Sequence, residues 1–204
     1  MNSRLGIAVR RSSRSMARSR SDEVMERFLD RLRDDLVSNN MLRGSWVEEI
    51  VASFLGIDAF PGQWNYYDLR DANGRTISVK QSVGQKARFD VTGRKNAWDN
   101  DLAVQRRVAD PKAEGWLSNP DGLPRRWCDV YVFAHLPAPV DVVRVANVDE
   151  WRFGARSAAW LDSLPATIRS QSVQQLIYRG VDFVDGTHLR DEVAAALRIV
   201  EQEL

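Results

Sequence analysis

The chain has 204 residues, 44% of them hydrophobic, which is enough to fill a core and excludes an intrinsically disordered protein. Its longest apolar runs, such as the one from Val130 to Val140, are broken by Pro137 and Pro139 and fall short of the roughly 20 residues a membrane helix needs. One cysteine, Cys128, and two histidines exclude an internal disulfide and a Cys/His zinc cluster, and predict a cytoplasmic address.

The net charge of +1 is unevenly spread, because residues 1–21 carry six Arg (Arg4, Arg10, Arg11, Arg14, Arg18, Arg20) and no acid, leaving the remainder at −5. This Arg/Ser-rich stretch cannot bury enough apolar surface to offset the entropy of ordering it, so it reads as a disordered basic tail ahead of one domain over residues 22–204. It lacks the apolar stretch of a secretory signal, although a transit peptide also starts in this way. An arm that tracks phosphates and a merely solvated start both fit it. Arg outnumbers Lys by 25 to 4, so each Lys marks a place where a guanidinium would serve less well.

From Ser21 to Asn40 apolar residues Val24, Phe28, Leu29, Leu32 and Leu36 recur at helical spacing, with Ser21 as the expected N-cap. A second helix is expected from about Gly44, its stripe formed by Val47, Ile50, Val51, Phe54 and Leu55, with Gly56 as the stop. Together these give a helix over 22–40 and a core over 43–204. After Pro61 the period changes to two: QWNYYDLR and TISVKQS flank Asn73–Gly74 and predict a β-hairpin. A third strand is expected from Ala87 to Thr92, and Asn96 to Arg126 reads as loops with a short helical piece. CDVYVFAHL has the continuous apolarity of a central strand covered on both faces. DEWRFGA fits an edge strand, SVQQLIY a short helix or strand, and the segment from Thr187 to Leu204 a closing helix. Helices around a mixed sheet make an α/β or α+β domain.

Three residues invite chemistry together. At about 100° per helical residue, Glu48 flanks the buried stripe of its helix while Glu49 points away. Whether Asp68 shares a sheet face with Lys80 depends on the hairpin turn, since side chains alternate with period two. A two-residue Asn73–Gly74 loop sets Asp68 against Val79, on the wrong face. A three-residue Ala72–Asn73–Gly74 loop, with Gly74 left-handed, sets it against Ser78 and puts Asp68, Ser78 and Lys80 on one face. The residues allow both turns.

In this order the segments resemble the PD-(D/E)XK nuclease superfamily, the restriction-endonuclease-like fold. The resemblance rests on Gly44-Ser-Trp-Val-Glu48, Tyr67-Asp68-Leu69, Asp71-Ala-Asn-Gly-Arg75, Ile77-Ser78-Val79-Lys80-Gln81-Ser82 and Cys128-Asp129-Val-Tyr-Val-Phe-Ala134, and spans about residues 43–190. Each motif alone is a common string; the ordered set is more specific. The resemblance implies a mixed central β-sheet flanked by helices and a Mg²⁺-dependent DNA endonuclease, of restriction or related type, with Mn²⁺ as the alternative metal. Double-stranded DNA is the implied partner, and a homodimer is implied if both strands are cut. Asp68 and the backbone carbonyl of Val79 would hold the metal, and Lys80 would orient or deprotonate the attacking water.

One position departs from the family: the acid before Lys80 is Ser78. Mg²⁺ demands hard oxygen ligands, so a replacement carboxylate is needed, and Glu48 is the candidate with Glu49 in reserve. Without one, the chain would be a catalytically degenerate nucleic-acid-binding or regulatory member of the same fold, and a third alternative is an unrelated α/β domain. Lys86, Arg88, Arg94 and Lys95 follow the Lys80 strand and are candidate phosphate contacts, as are Arg106, Arg107, Arg125 and Arg126. Trp64, Trp98 and Trp116 could stack on bases, although packing is the default for each. His135, His188 and Cys128 read as structural, and Gln81 as a residue of the face opposite Lys80.

Overall fold

A computed structural model describes residues 20–57, 67–91, 128–165 and 167–202. The expectations for the basic tail up to residue 19, for Trp64, Trp98 and Trp116, for Arg94, Lys95, Arg106, Arg107, Arg125 and Arg126, and for the 96–126 loops lie outside these residues.

The chain is a mixed α/β protein. Helices α1 (Arg20–Ser38) and α2 (Asn40–Leu55) lead into strands β1 (Leu69–Arg70), β2 (Thr76–Val83) and β3 (Arg88–Asp90). After β4 (Val130–Leu136) come α3 (Val142–Ala146), β5 (Arg152–Ser157), α4 (Ala158–Asp162), β6 (Ser170–Ser172), α5 (Val173–Tyr178) and α6 (Leu189–Gln202). The four-stranded sheet has the order β1-β2-β4-β5; β2 and β4 are parallel, and the outer pairs are antiparallel.

Strand β4 is central, as its apolarity predicts. Val130, Val132 and Ala134 face a cluster built by Val47, Ile50 and Val51 of α2 and Leu189, Val193 and Leu197 of α6. Tyr131 and Phe133 face the other way, into a cluster with Phe89, Leu161 and Leu176. Each fully buried Val or Phe contributes about 1.5–3 kcal/mol through its apolar area. Cys128, 2% exposed, is a small apolar member of the second cluster. Strand β5 is the predicted edge, and α5 resolves the SVQQLIY alternative as helix.

Several expectations are corrected. Ser21 lies inside α1 and does not cap it. Helix α2 starts four residues before Gly44, because the Asn39 side chain accepts from the N–H groups of Met41 and Leu42. It stops where expected, with Gly56 at φ +67°. The stripe on α1 is buried only at its end: Leu36 is 7% exposed, whereas Val24, Met25, Phe28 and Leu29 are about half exposed. A helix of 19 residues is about 28 Å long, and only its last turns reach α2 and α3. Strand β3 does not join the main sheet but pairs with β6 as a two-stranded ribbon. Within the expected QWNYYDLR strand, Tyr67 and Asp68 are not strand, since β1 begins only at Leu69.

Candidate active site

The hairpin adopts the three-residue turn. Leu69 pairs with Ile77 and Arg70 with Thr76, so Asp71 faces Arg75 across Ala72, Asn73 and Gly74. Gly74 takes φ +81°, where a Cβ would be strained, and donates its N–H to the Asp71 carbonyl at 3.0 Å. The Asp71 side chain completes the turn by accepting from the N–H groups of Asn73 and Arg75 and pairing with the Arg75 guanidinium at 2.8 Å. Those bonds hold the Asp71 carboxyl below the usual carboxylate range despite some burial.

This register brings Asp68 to Ser78. The Asp68 Oδ2 accepts from Ser78 Oγ at 3.1 Å and from the Val79 N–H at 2.6 Å, while its own N–H donates to the Ile77 carbonyl. Its carboxylate therefore stands in for the next rung of the β1–β2 ladder, which explains why β1 is so short. The chain also turns at this point. Tyr67 packs into the Phe89 cluster and Leu69 into the α2 cluster, although residues two apart in a regular strand share a face. Asp68 is thus set at the sheet edge, with access to both sides. Because a strand residue's N–H and C=O lie on one edge, the Val79 carbonyl is directed to the side of β2 that Asp68 occupies.

Glu48 enters from α2. Val47, Ile50 and Val51 anchor that helix in the core, which leaves Glu48 half-buried at the flank and Glu49 exposed. Its carboxyl is pushed up to about 7, first by burial and next by the negative charge of Asp68; Lys80 pulls it down, and Glu49 adds a further push upward. Glu48, Asp68 and Lys80 therefore lie within electrostatic reach of one another, although they come from a helix, a turn and a strand. Lys80 is half-buried beside Phe133, its partner in β4, and shares its face of β2 with Ser78, which is 4% exposed.

The arrangement suits a cation. Two carboxylates held close enough to raise one of them are relieved by a positive ion between them, and both offer hard oxygen atoms with the Val79 carbonyl nearby. Among the described residues, no group of three or more His, Cys, Asp or Glu side chains is placed to hold a metal. The oxygen atoms that could hold such an ion are those of Glu48, Asp68 and the Val79 carbonyl, beside the Ser78 hydroxyl.

The remaining candidates divide. Arg88 is exposed but held in orientation, its Nε and Nη2 donating to Ser170; its backbone N–H donates to Ser82 Oγ, two residues along β2 from Lys80. Lys86 is exposed in the turn before β3. Gln81 faces α2, as expected, and bonds Asn40 and Arg43. His188 caps the turn before α6 by bonding Asp185 at 2.9 Å, an interaction that, after the Thr187 hydroxyl, helps draw the Asp185 carboxyl down to about 2. His135 is half-buried against the Ser82 carbonyl, and burial lowers its imidazole below the usual histidine value.

Two supporting residues were not anticipated. Arg43, 7% exposed, donates to the carbonyls of Leu36 and Val37 and to the side chains of Asn40 and Gln81, tying α1, α2 and β2 together. Its signal was present, since Arg43 stands four residues before Val47 on the buried stripe. Asp129 accepts from the Thr76 N–H and hydroxyl, fixing the start of β4 against the start of β2.

No protein-family model, no curated protein and no solved structure matches this chain. No helix among the described residues is long and apolar enough to cross a membrane.

Proposed function

We propose that this chain is a metal-dependent DNA endonuclease of the PD-(D/E)XK kind, in which Glu48 supplies the carboxylate that Ser78 lacks. The observation that carries the reading is the convergence of Glu48, Asp68 and Lys80 at one sheet edge, expressed in the Glu48 carboxyl held near 7 by burial and by Asp68. Asp68, Glu48 and the Val79 carbonyl would hold Mg²⁺ or Mn²⁺. When bound, the ion supplies positive charge at the phosphoryl oxygens and lowers the pKa of water.

The chain's own groups do the rest. Ser78 and the Val79 N–H hold Asp68 by one oxygen and so fix the carboxylate plane. Lys80 contributes a compact ammonium beside the scissile phosphate, where negative charge develops during attack. Hydrolysis forms a bond from the water oxygen to phosphorus, breaks one ester P–O bond and delivers the water's proton to the departing oxygen.

The second reading, a non-cutting nucleic-acid-binding protein on the same fold, is favoured by one observation: the position of the second acid is occupied by Ser78, a donor to Asp68. Purified protein incubated with supercoiled and linear duplex DNA, with Mg²⁺, Mn²⁺ or EDTA, separates the two. Metal-dependent breaks that disappear in both Lys80→Ala and Asp68→Asn are expected. Salt-sensitive binding without breaks under either metal selects the second reading.

A further inference from the structure

Beyond the end of β2 lies an open cleft of about 610 Å³, formed by the turn from Gly84 to Arg88, the end of β4 with Pro137, and the start of α5. It sits at the carboxyl ends of the two parallel strands β2 and β4, where α/β sheets commonly leave a ligand crevice. Among the described residues lining it there is no acid, while Lys86 and Arg88 supply two cations. The Arg88 guanidinium is pinned by Ser170, so it is oriented before any ligand arrives. The rest of the lining is mixed in a telling way: Gln85, Gln174 and His135 offer neutral hydrogen-bonding groups, and Val173 and Pro137 an apolar wall. One helical turn beyond Gln174 on the same helix, Tyr178 is 92% exposed, an aromatic face of the kind on which bases stack.

We infer that this cleft seats one nucleotide of the bound strand, its phosphate on Lys86 and Arg88 and its base among Val173, Pro137 and Gln174. The inference rests on the nucleic-acid reading of this face but needs neither the metal nor cleavage. Gly84 is four residues past Lys80, about 13 Å along the strand, or roughly four base steps of duplex. The cleft thus anchors the strand at a fixed distance from the point of attack. A cavity of this size exceeds what a bare phosphate needs and falls within the range of small-molecule sites.

The test is done in EDTA with the full chain. Calorimetry with deoxyadenosine monophosphate, deoxyadenosine and inorganic phosphate is expected to show the monophosphate binding at least tenfold more tightly than either part. Lys86→Ala is expected to weaken it about tenfold. Gln174→Trp, which fills the cleft without changing charge, should weaken it too, whereas Arg33→Ala on exposed α1 should not. With a labelled 30-base-pair duplex, Lys86→Ala should lower the slope of log affinity against log salt by about 0.9, the loss of one phosphate contact. Phosphate binding as tightly as the monophosphate, deoxyadenosine doing so, or Lys86→Ala behaving as Arg33→Ala overturns the inference. Lys86-dependent monophosphate binding in a protein that never cuts DNA removes the nuclease reading and leaves the cleft standing; metal-dependent cutting with Lys86-independent binding does the reverse.

Discussion

Replacing Glu48 by Gln should stabilise the metal-free protein at alkaline pH while abolishing its metal response. A free glutamate titrates near 4.5 and Glu48 near 7 in the folded chain. Between those values the unfolded chain has released a proton that the native state keeps, so native protein binds more protons and stability falls as pH rises through that window. Unscreened, a displacement from 4.5 to about 7 corresponds to roughly 3 kcal/mol. Glu48 retains contact with solvent, which screens its charge, so about 1.5 kcal/mol is the expected size. Glutamine has the same shape and cannot ionise. Wild type and Glu48→Gln should therefore coincide at pH 4.5 and separate by about 1.5 kcal/mol in favour of the variant at pH 8, or about 3–6 °C in Tm for a domain of this size. Urea and thermal unfolding in EDTA across pH 4.5–8 measure this. Addition of Mg²⁺ at 100 times its Kd should then stabilise wild type by about 2.7 kcal/mol and leave the variant unmoved, reversing their order. Parallel pH curves, or a variant less stable at pH 8 in EDTA, would refute the idea that Glu48 is a desolvated carboxylate facing Asp68.

Arg43→Ala leaves the Leu36 and Val37 carbonyls without their donor and should cost about 2–3 kcal/mol in urea unfolding. Asp68→Asn keeps an acceptor for the Val79 N–H and should unfold within about 1 kcal/mol of wild type, whereas Asp68→Ala strands that N–H and should cost about 2 kcal/mol. Ser78→Asp places a further acid at a buried position beside Asp68; it should lose about 3 kcal/mol in EDTA and gain more than wild type from Mg²⁺, read as the metal-induced Tm shift. A Cβ at Gly154 would meet Val181 Cγ1 at 2.5 Å and the Asp182 carbonyl oxygen at 2.9 Å, so Gly154→Ala should destabilise by about 2 kcal/mol by forcing β5 away from the segment it bridges through Phe153 and Val184.

Much of this protein was legible without its structure because it depends on local periods and local turn chemistry. The stripe of α2 with its glycine stop, the unbroken apolarity of β4 and the side of α2 that Glu48 flanks all follow from spacing alone. The hairpin was legible up to a choice of two turns, and the choice was beyond local information: both are allowed by Asn73 and Gly74, and what selects one is the cost of a slipped register, which would expose the Leu69–Ile77 pair now buried beneath α2. That selection is what sets Asp68 on Ser78. The tertiary structure alone also decided that the first half of α1 leaves its apolar face in solvent and that β3 pairs with β6, whose partner residues are some 80 positions away. It likewise decided that Arg43 reaches Gln81, 38 positions along the chain. The candidate site belongs to both levels. Its residue types and their order are written in the sequence, but a carboxylate is raised to about 7 only when folding takes it out of water and sets a second negative charge beside it.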